Sequence, residues 1–147
     1  LVAGATLFSY FLALSTIPTA VSTWIAGLGV SKYVILVIIV AIYFLLGCFL
    51  DSVSMMVLTL PVIFPVVVTI GFDPIWFGVL LVLMMEAGLI TPPVGLNIYT
   101  IAGIAKDVPM GTIFRGATPF LLSVLATAII LTLFPQIATY LPSLMGR

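Results

Sequence analysis

Two strings interrupt an otherwise apolar sequence with groups that can bind ions. They are Asp51-Ser52-Val53-Ser54, and Gly88-Leu89-Ile90-Thr91-Pro92-Pro93-Val94-Gly95 with Asn97 just beyond. A hard cation such as Na⁺ needs several oxygen ligands and little else, which hydroxyls, a carboxylate and unwound backbone carbonyls supply. Half-helix N-termini beside the same oxygens, after Asp51 or Ser52 and after Thr91, offer unpaired N–H groups and a positive dipole end to an anion. Asp51 and Thr91 are therefore the Na⁺ candidates, and Ser52, Ser54, Gly88, Pro92, Gly95 and Asn97 complete a joint cation and substrate site. Each has a plainer reading. Asp51 and Ser52 can cap a helix at a wet turn, the prolines can form a kink patched by Thr91 and neighbouring helices, and Asn97 can be interhelical glue. Glu86 stays open between a proton or ion group and a buried acid bonded to another helix, while Asp73 and Asp107 read as solvated loop residues.

The second string is the stronger signal because of the segment that holds it. Ile75 to Ile104 is 30 residues, about 45 Å as one straight helix against a hydrocarbon core of about 30 Å. Pro92 and Pro93 have no N–H for the carbonyls of Gly88 and Leu89, four residues back, so those oxygens are expected to be free. Thr91 is the expected N-cap of a second half-helix, with Pro92 at its first position. The segment thus reads as a discontinuous transmembrane helix.

The surrounding composition fixes the solvent. Of 147 residues 64% are hydrophobic, with four Lys/Arg and four Asp/Glu, too few to cover a water-facing surface. Apolar runs at 33–50, 53–70, 75–90 and 119–134 each approach or exceed the ~17 residues that cross hydrocarbon, so at least three crossings are expected, in an all-α fold. Unpaired backbone groups in lipid exclude open sheets, and the alternating segments of an outer-membrane barrel are missing. No histidine is present, which removes His-based triads and His-ligated metals; near-zero net charge removes a nucleic-acid patch. The single cysteine, Cys48, can form no internal disulfide.

In order along the chain, 1–32 is expected to hold the end of a transmembrane helix and a short interfacial helix, divided near Pro18. Leu1 falls inside an apolar stretch, as in a fragment cut through a helix. Residues 33–70 form a re-entrant hairpin or a pair of short spans, with Pro61 and Pro65 bending its second arm or making it irregular. Residues 71–147 hold the discontinuous helix, a polar connector from Ala105 to Arg115 and a last helix from Gly116 to Phe134.

The string GLITPPVGLNIYTIAGIAKDVPM, with GCFLDSVSMMVLTLPVIFPVVVTIGFDPIWFGV before it and RGATPFLL after it, resembles the large permease subunit of tripartite ATP-independent periplasmic (TRAP) transporters, in its C-terminal portion. The resemblance implies an elevator-type secondary transporter of the bacterial inner membrane, multi-pass and built from two inverted repeats. It would be coupled to Na⁺, with no cofactor and no enzymatic activity. Residues 33–70 would be the second hairpin, its tip near Asp51 to Ser54 facing the break at Gly88 to Asn97. The implied partners are a small membrane subunit and a periplasmic binding protein that delivers an organic acid of the C4-dicarboxylate or sugar-acid type. Rival readings are an ion-coupled anion carrier without a binding protein, an intramembrane aspartyl protease using Asp51 and Glu86, and a purely structural membrane subunit.

Overall fold

The computed structural model describes residues 2–145; Leu1, where the expected helix cut falls, lies outside them. The described residues are all-α: α1 (Val2–Leu14), α2 (Ile17–Gly27), α3 (Lys32–Gly47), α4 (Ser52–Thr69), α5 (Pro74–Leu89), α6 (Leu96–Ile104), α7 (Met110–Leu133) and α8 (Gln136–Met145). By length and composition α4 and α7 can each cross a membrane, and α1 with α2, bent by 59° across a short break, is a third candidate span. The bend falls at Thr16, whose φ of 55° is left-handed, just before Pro18 in the first turn of α2. Helix α2 packs along α4, and Val21 and Ile25 reach the main core.

That core gathers between α3, α4 and α5. Tyr43, Met55, Val66, Trp76, Phe77 and Leu80 are all but fully buried in it, and α7 contributes Ala128. The Tyr43 hydroxyl and Thr59 Oγ1 lie 2.6 Å apart and tie α3 to α4 in mid-length. Thr59 also donates to the Met55 carbonyl at 2.8 Å, so both hydroxyls are satisfied inside apolar surroundings, as lipid requires. The outward faces stay apolar, with Leu45, Ile129 and Phe120 well exposed, which suits contact with acyl chains or with further helices.

One end of this body is built from aromatic rings. Lys32 Nζ sits 5.2 Å from the Phe72 ring centre and 5.5 Å from that of Tyr33. Phe72 stacks on Trp76 at 5.1 Å, and the Trp76 indole N–H donates to the Leu131 carbonyl at 2.6 Å. The start of α3, the start of α5 and the end of α7 therefore share one end, which we call the base. From there α3 and α5 run together, and α4 and α7 run back against them.

Three expectations need correction. Of the bend or irregular path expected at Pro61 and Pro65, the irregular path is not found: α4 runs through both as one helix, packed against α2, α3 and α5, which holds it in register despite the lost hydrogen bonds. Helix α7 begins at Met110, not Gly116, and so carries Arg115 in its first turns; Pro109, with its fixed φ, is the N-cap, and the connector shrinks accordingly. Beyond Pro135 the chain forms a further helix, α8, which returns to touch α5 and α7.

Candidate functional site

The last turn of α3 tightens as Phe49 and Leu50 N–H both bond the Leu46 carbonyl, at 3.0 and 2.8 Å. The chain then extends at Asp51, whose carboxylate accepts from the Ser54 N–H at 3.0 Å and starts α4. This is the helix-cap role that the sequence allowed for Asp51. The Ser54 side chain also bonds the carboxylate, so Asp51 is engaged with its own helix start, and the side chain is exposed. Ser52 and Ser54 are half-buried on the first turn of α4.

The discontinuity between α5 and α6 falls where the prolines put it, but its internal register differs from the expectation. Thr91 is not the N-cap of the second half: its hydroxyl donates back to the Ala87 carbonyl at 2.6 Å, and its N–H bonds Gly88 O at 3.0 Å. Gly95 is the N-cap of α6, in the left-handed region at φ 61°, a conformation that glycine adopts without steric cost. Its carbonyl accepts from Ile98 and Tyr99 N–H at 2.8 and 3.1 Å. The Gly88 carbonyl, expected to be free, is thus taken. That of Leu89, whose helical donor would be Pro93 N, receives no hydrogen bond among the described residues. The Pro92–Pro93 peptide is cis.

The two interruptions meet. Gly47 of α3 lies on Gly88 of α5, backbone to backbone: a Cβ built on Gly88 would stand 2.6 Å from Gly47 Cα and carbonyl carbon. Gly95 N–H donates to the Cys48 carbonyl at 3.3 Å, and the Cys48 thiol points between the Phe44 carbonyl at 3.3 Å and the Pro92 carbonyl at 3.7 Å. The turn at the end of α3 therefore docks on the break and not on the far end of α6. Helix α6 continues past that level by nine residues, about 13 Å. Helix α7, at 24 residues and about 36 Å, accompanies both halves of the broken helix; Trp76 of α5 reaches its Leu131, and Ile98 and Ile101 of α6 line a shared cavity with its Ile113 and Gly116.

Around this joint the polar side chains other than the Cys48 thiol bond only within their own interruption or not at all. Gly95 and Gly88 are buried, Thr91 is half-buried, and Pro92 and Asn97 are exposed. No hydrogen bond among the described residues links Asp51, Ser52, Ser54 or Asn97 to the opposite interruption. At the start of α6 the N–H groups of Leu96 and Asn97 have no acceptor among the described residues, which is the anion-facing character of a helix N-terminus. The Thr91 hydroxyl gives its proton to Ala87 O, so its oxygen keeps acceptor capacity. Glu86 is exposed on α5. Among the described residues no cluster of three or more His, Cys, Asp or Glu occurs, a condition that hydroxyl and carbonyl coordination of Na⁺ does not need.

Sequence reasoning missed Gly47 and the structural part of Cys48. Their one signal is a pair of small residues inside FLLGCFL, just before the Asp51 interruption, where small residues let membrane helices approach closely.

Comparison with known proteins identifies the family. Residues 1–137 match the family described as tripartite ATP-independent periplasmic transporter, DctM component. The C4-dicarboxylate TRAP transporter large permease protein DctM of Pseudomonas aeruginosa is 34% identical over 146 residues, 99% of this chain and 34% of that protein. The sialic acid TRAP transporter large permease protein SiaM of Vibrio cholerae is 30% identical, over 98% of this chain and 34% of its own length. The ectoine/5-hydroxyectoine TRAP transporter large permease protein UehC of Ruegeria pomeroyi is 31% identical, over 98% and 33%. The chain spans about a third of the length of these relatives.

Proposed function

This chain belongs to the DctM-component family of TRAP transporters, a family of membrane permeases and not of enzymes, and from that premise we propose that it forms half of the ion and substrate site of a sodium-coupled organic-acid importer. In this reading α3 and α4 are a re-entrant hairpin and α5 with α6 a discontinuous transmembrane helix, together one of two inverted repeats. The remainder of the permease supplies the other half. A small membrane subunit and a periplasmic binding protein complete the system in the inner membrane, and the cargo is an acid of the C4-dicarboxylate or sugar-acid type.

The observation that carries the reading is the depth at which the hairpin stops. Its tip docks on the break through Gly47, Cys48, Gly88 and Gly95, while α6 goes on by about 13 Å beside α7. Two interrupted elements meeting within protein, each presenting a helix N-terminus and oxygen atoms, is the arrangement in which transporters bind an ion and an anion together. Na⁺ would take the Thr91 hydroxyl, the Leu89 carbonyl and, from the tip, Asp51 with Ser52 or Ser54. The anion would face the free N–H groups of Leu96 and Asn97. An aspartyl protease has no support here, since the family is one of transporter permeases and no bond joins Asp51 to Glu86 among the described residues.

The test is uptake of a C4-dicarboxylate and of a sugar acid into proteoliposomes by the full-length permease with its small subunit and binding protein, under an imposed Na⁺ or K⁺ gradient. Uptake that requires Na⁺, and that Thr91→Ala and Asp51→Ala both weaken, is expected. Uptake indifferent to Na⁺, or two variants that match the unsubstituted protein, would sink the cation assignment.

A further inference from the structure

The geometry points to Gly47 and Gly88 as a positioning pair: their main-chain contact sets the distance between hairpin tip and helix break, and through it the ion affinity of the site. This inference rests on the transport reading above and goes beyond it, because neither glycine offers a ligand of its own to the ion.

The contact is tighter than packing alone needs. A Cβ on Gly88 would stand 2.6 Å from two backbone atoms of Gly47 and 3.0 Å from Cys48 N, whereas ordinary contact begins at 3.4 Å. Because the obstacle is backbone, no change of rotamer relieves it, and the tip and the break must move apart. A Cβ on Gly47 is less severe, at 3.2 Å from Gly88 Cα and 3.3 Å from Met85 O. The neighbouring Gly95 N–H to Cys48 carbonyl bond already measures 3.3 Å, so a separation of even about 0.5 Å carries it past hydrogen-bond range. Gly78, on the same helix, has nothing within 4 Å of its built Cβ and serves as the control for helical glycine replacement itself.

Cys48 supplies a readout that does not depend on transport. Cys48 is 1% exposed and its thiol sits inside the joint, so alkylation should be slow while the joint is closed. The experiment uses the full-length permease, purified with its small subunit, and follows N-ethylmaleimide modification of the Cys48 peptide by mass spectrometry. In parallel, Na⁺ titrations of uptake in proteoliposomes give the half-saturating concentration and the maximal rate. Gly88→Ala is expected to speed Cys48 modification and to raise half-saturating Na⁺, each at least about tenfold, within the loss that a misplacement of about 1 Å causes where geometry decides the outcome. The maximal rate should move less than the half-saturating concentration. Gly47→Ala should act in the same direction more weakly, and stands in if Gly88→Ala fails to fold; Gly78→Ala should change neither quantity. Unchanged Cys48 modification in both variants overturns the joint. Faster modification with unchanged half-saturating Na⁺ overturns its positioning role while leaving Na⁺-driven transport intact. Na⁺-independent uptake by the unsubstituted protein sinks the transport reading instead, and the alkylation rates still decide whether the joint exists.

Discussion

The base and the tip of the α3–α4–α5 body hold the same helices together by opposite means. At the base the adhesive is side-chain mass: Trp76, 2% exposed, stacks on Phe72, which in turn meets Lys32 and the edge of Tyr33. At the tip, the contacts that join the two interruptions use backbone atoms and one thiol, through Gly47, Cys48, Gly88 and Gly95. Lipid tails are as apolar as leucine, so helices in a membrane gain little from burying hydrocarbon and much from close packing and satisfied polar groups. Large rings give the base its packing. The tip gains proximity without bulk, and, that thiol aside, its polar side chains take no part in closing it. Substitutions at the base should therefore lower stability, and those at the tip should change ion dependence.

The sharpest way to break this contrast is Trp76→Ala. It opens a cavity and orphans the Leu131 carbonyl, and should cost about 3 kcal/mol, the low end for removing a buried aromatic because the water-transfer part is small in lipid. The loss would be read as unfolding free energy of the full-length permease in detergent, with half-saturating Na⁺ unmoved in whatever fraction folds. Next comes a matched pair of caps. Asp73 accepts from Ile75 and Trp76 N–H at the base, at 2.8 and 3.0 Å, and Asp51 accepts from Ser54 N–H at the tip. Asp73→Ala should cost about 1 kcal/mol of stability and leave the Na⁺ titration alone, whereas Asp51→Ala should shift that titration. Equal Na⁺ curves for the two variants would erase the distinction between the ends. The smallest effect is expected for Lys32→Gln, which removes an exposed cation–π contact of about 0.5 to 1 kcal/mol, visible as a modest fall in the thermal midpoint.

The interruptions were legible because they rest on strong local chemistry: a charged residue in an apolar run, and two adjacent prolines in a segment too long for one span. Their meeting followed only from the family resemblance, since nothing local in 48 or 95 announces a partner so distant in sequence. The register inside the break was misread for a physical reason. Thr91 before Pro92 satisfies the usual preference for a helix start, but Gly95 gains a tertiary hydrogen bond to Cys48, and the half-helix begins after the residue that the fold holds. Arg115 and the connector show the same limit in reverse, because polar side chains on an exposed first turn look like loop. Helix α8 was hidden by Pro135 and Pro142, read as terminators although the second lies within the helix.

A joint made of main-chain atoms is blind to the chemical identity of the side chains around it. Asp51, Ser52, Ser54 and Asn97 project from it without helping to close it, so exchange at those positions leaves the docking intact. In the site proposed above the tip would be a socket with interchangeable contacts: a Cβ on Gly88 meets backbone at 2.6 Å and one on Gly47 at 3.2 Å, while their polar neighbours stand outside the joint. On the transport reading proposed above, such a division would let one scaffold change its cargo by point substitution, without rebuilding the architecture each time.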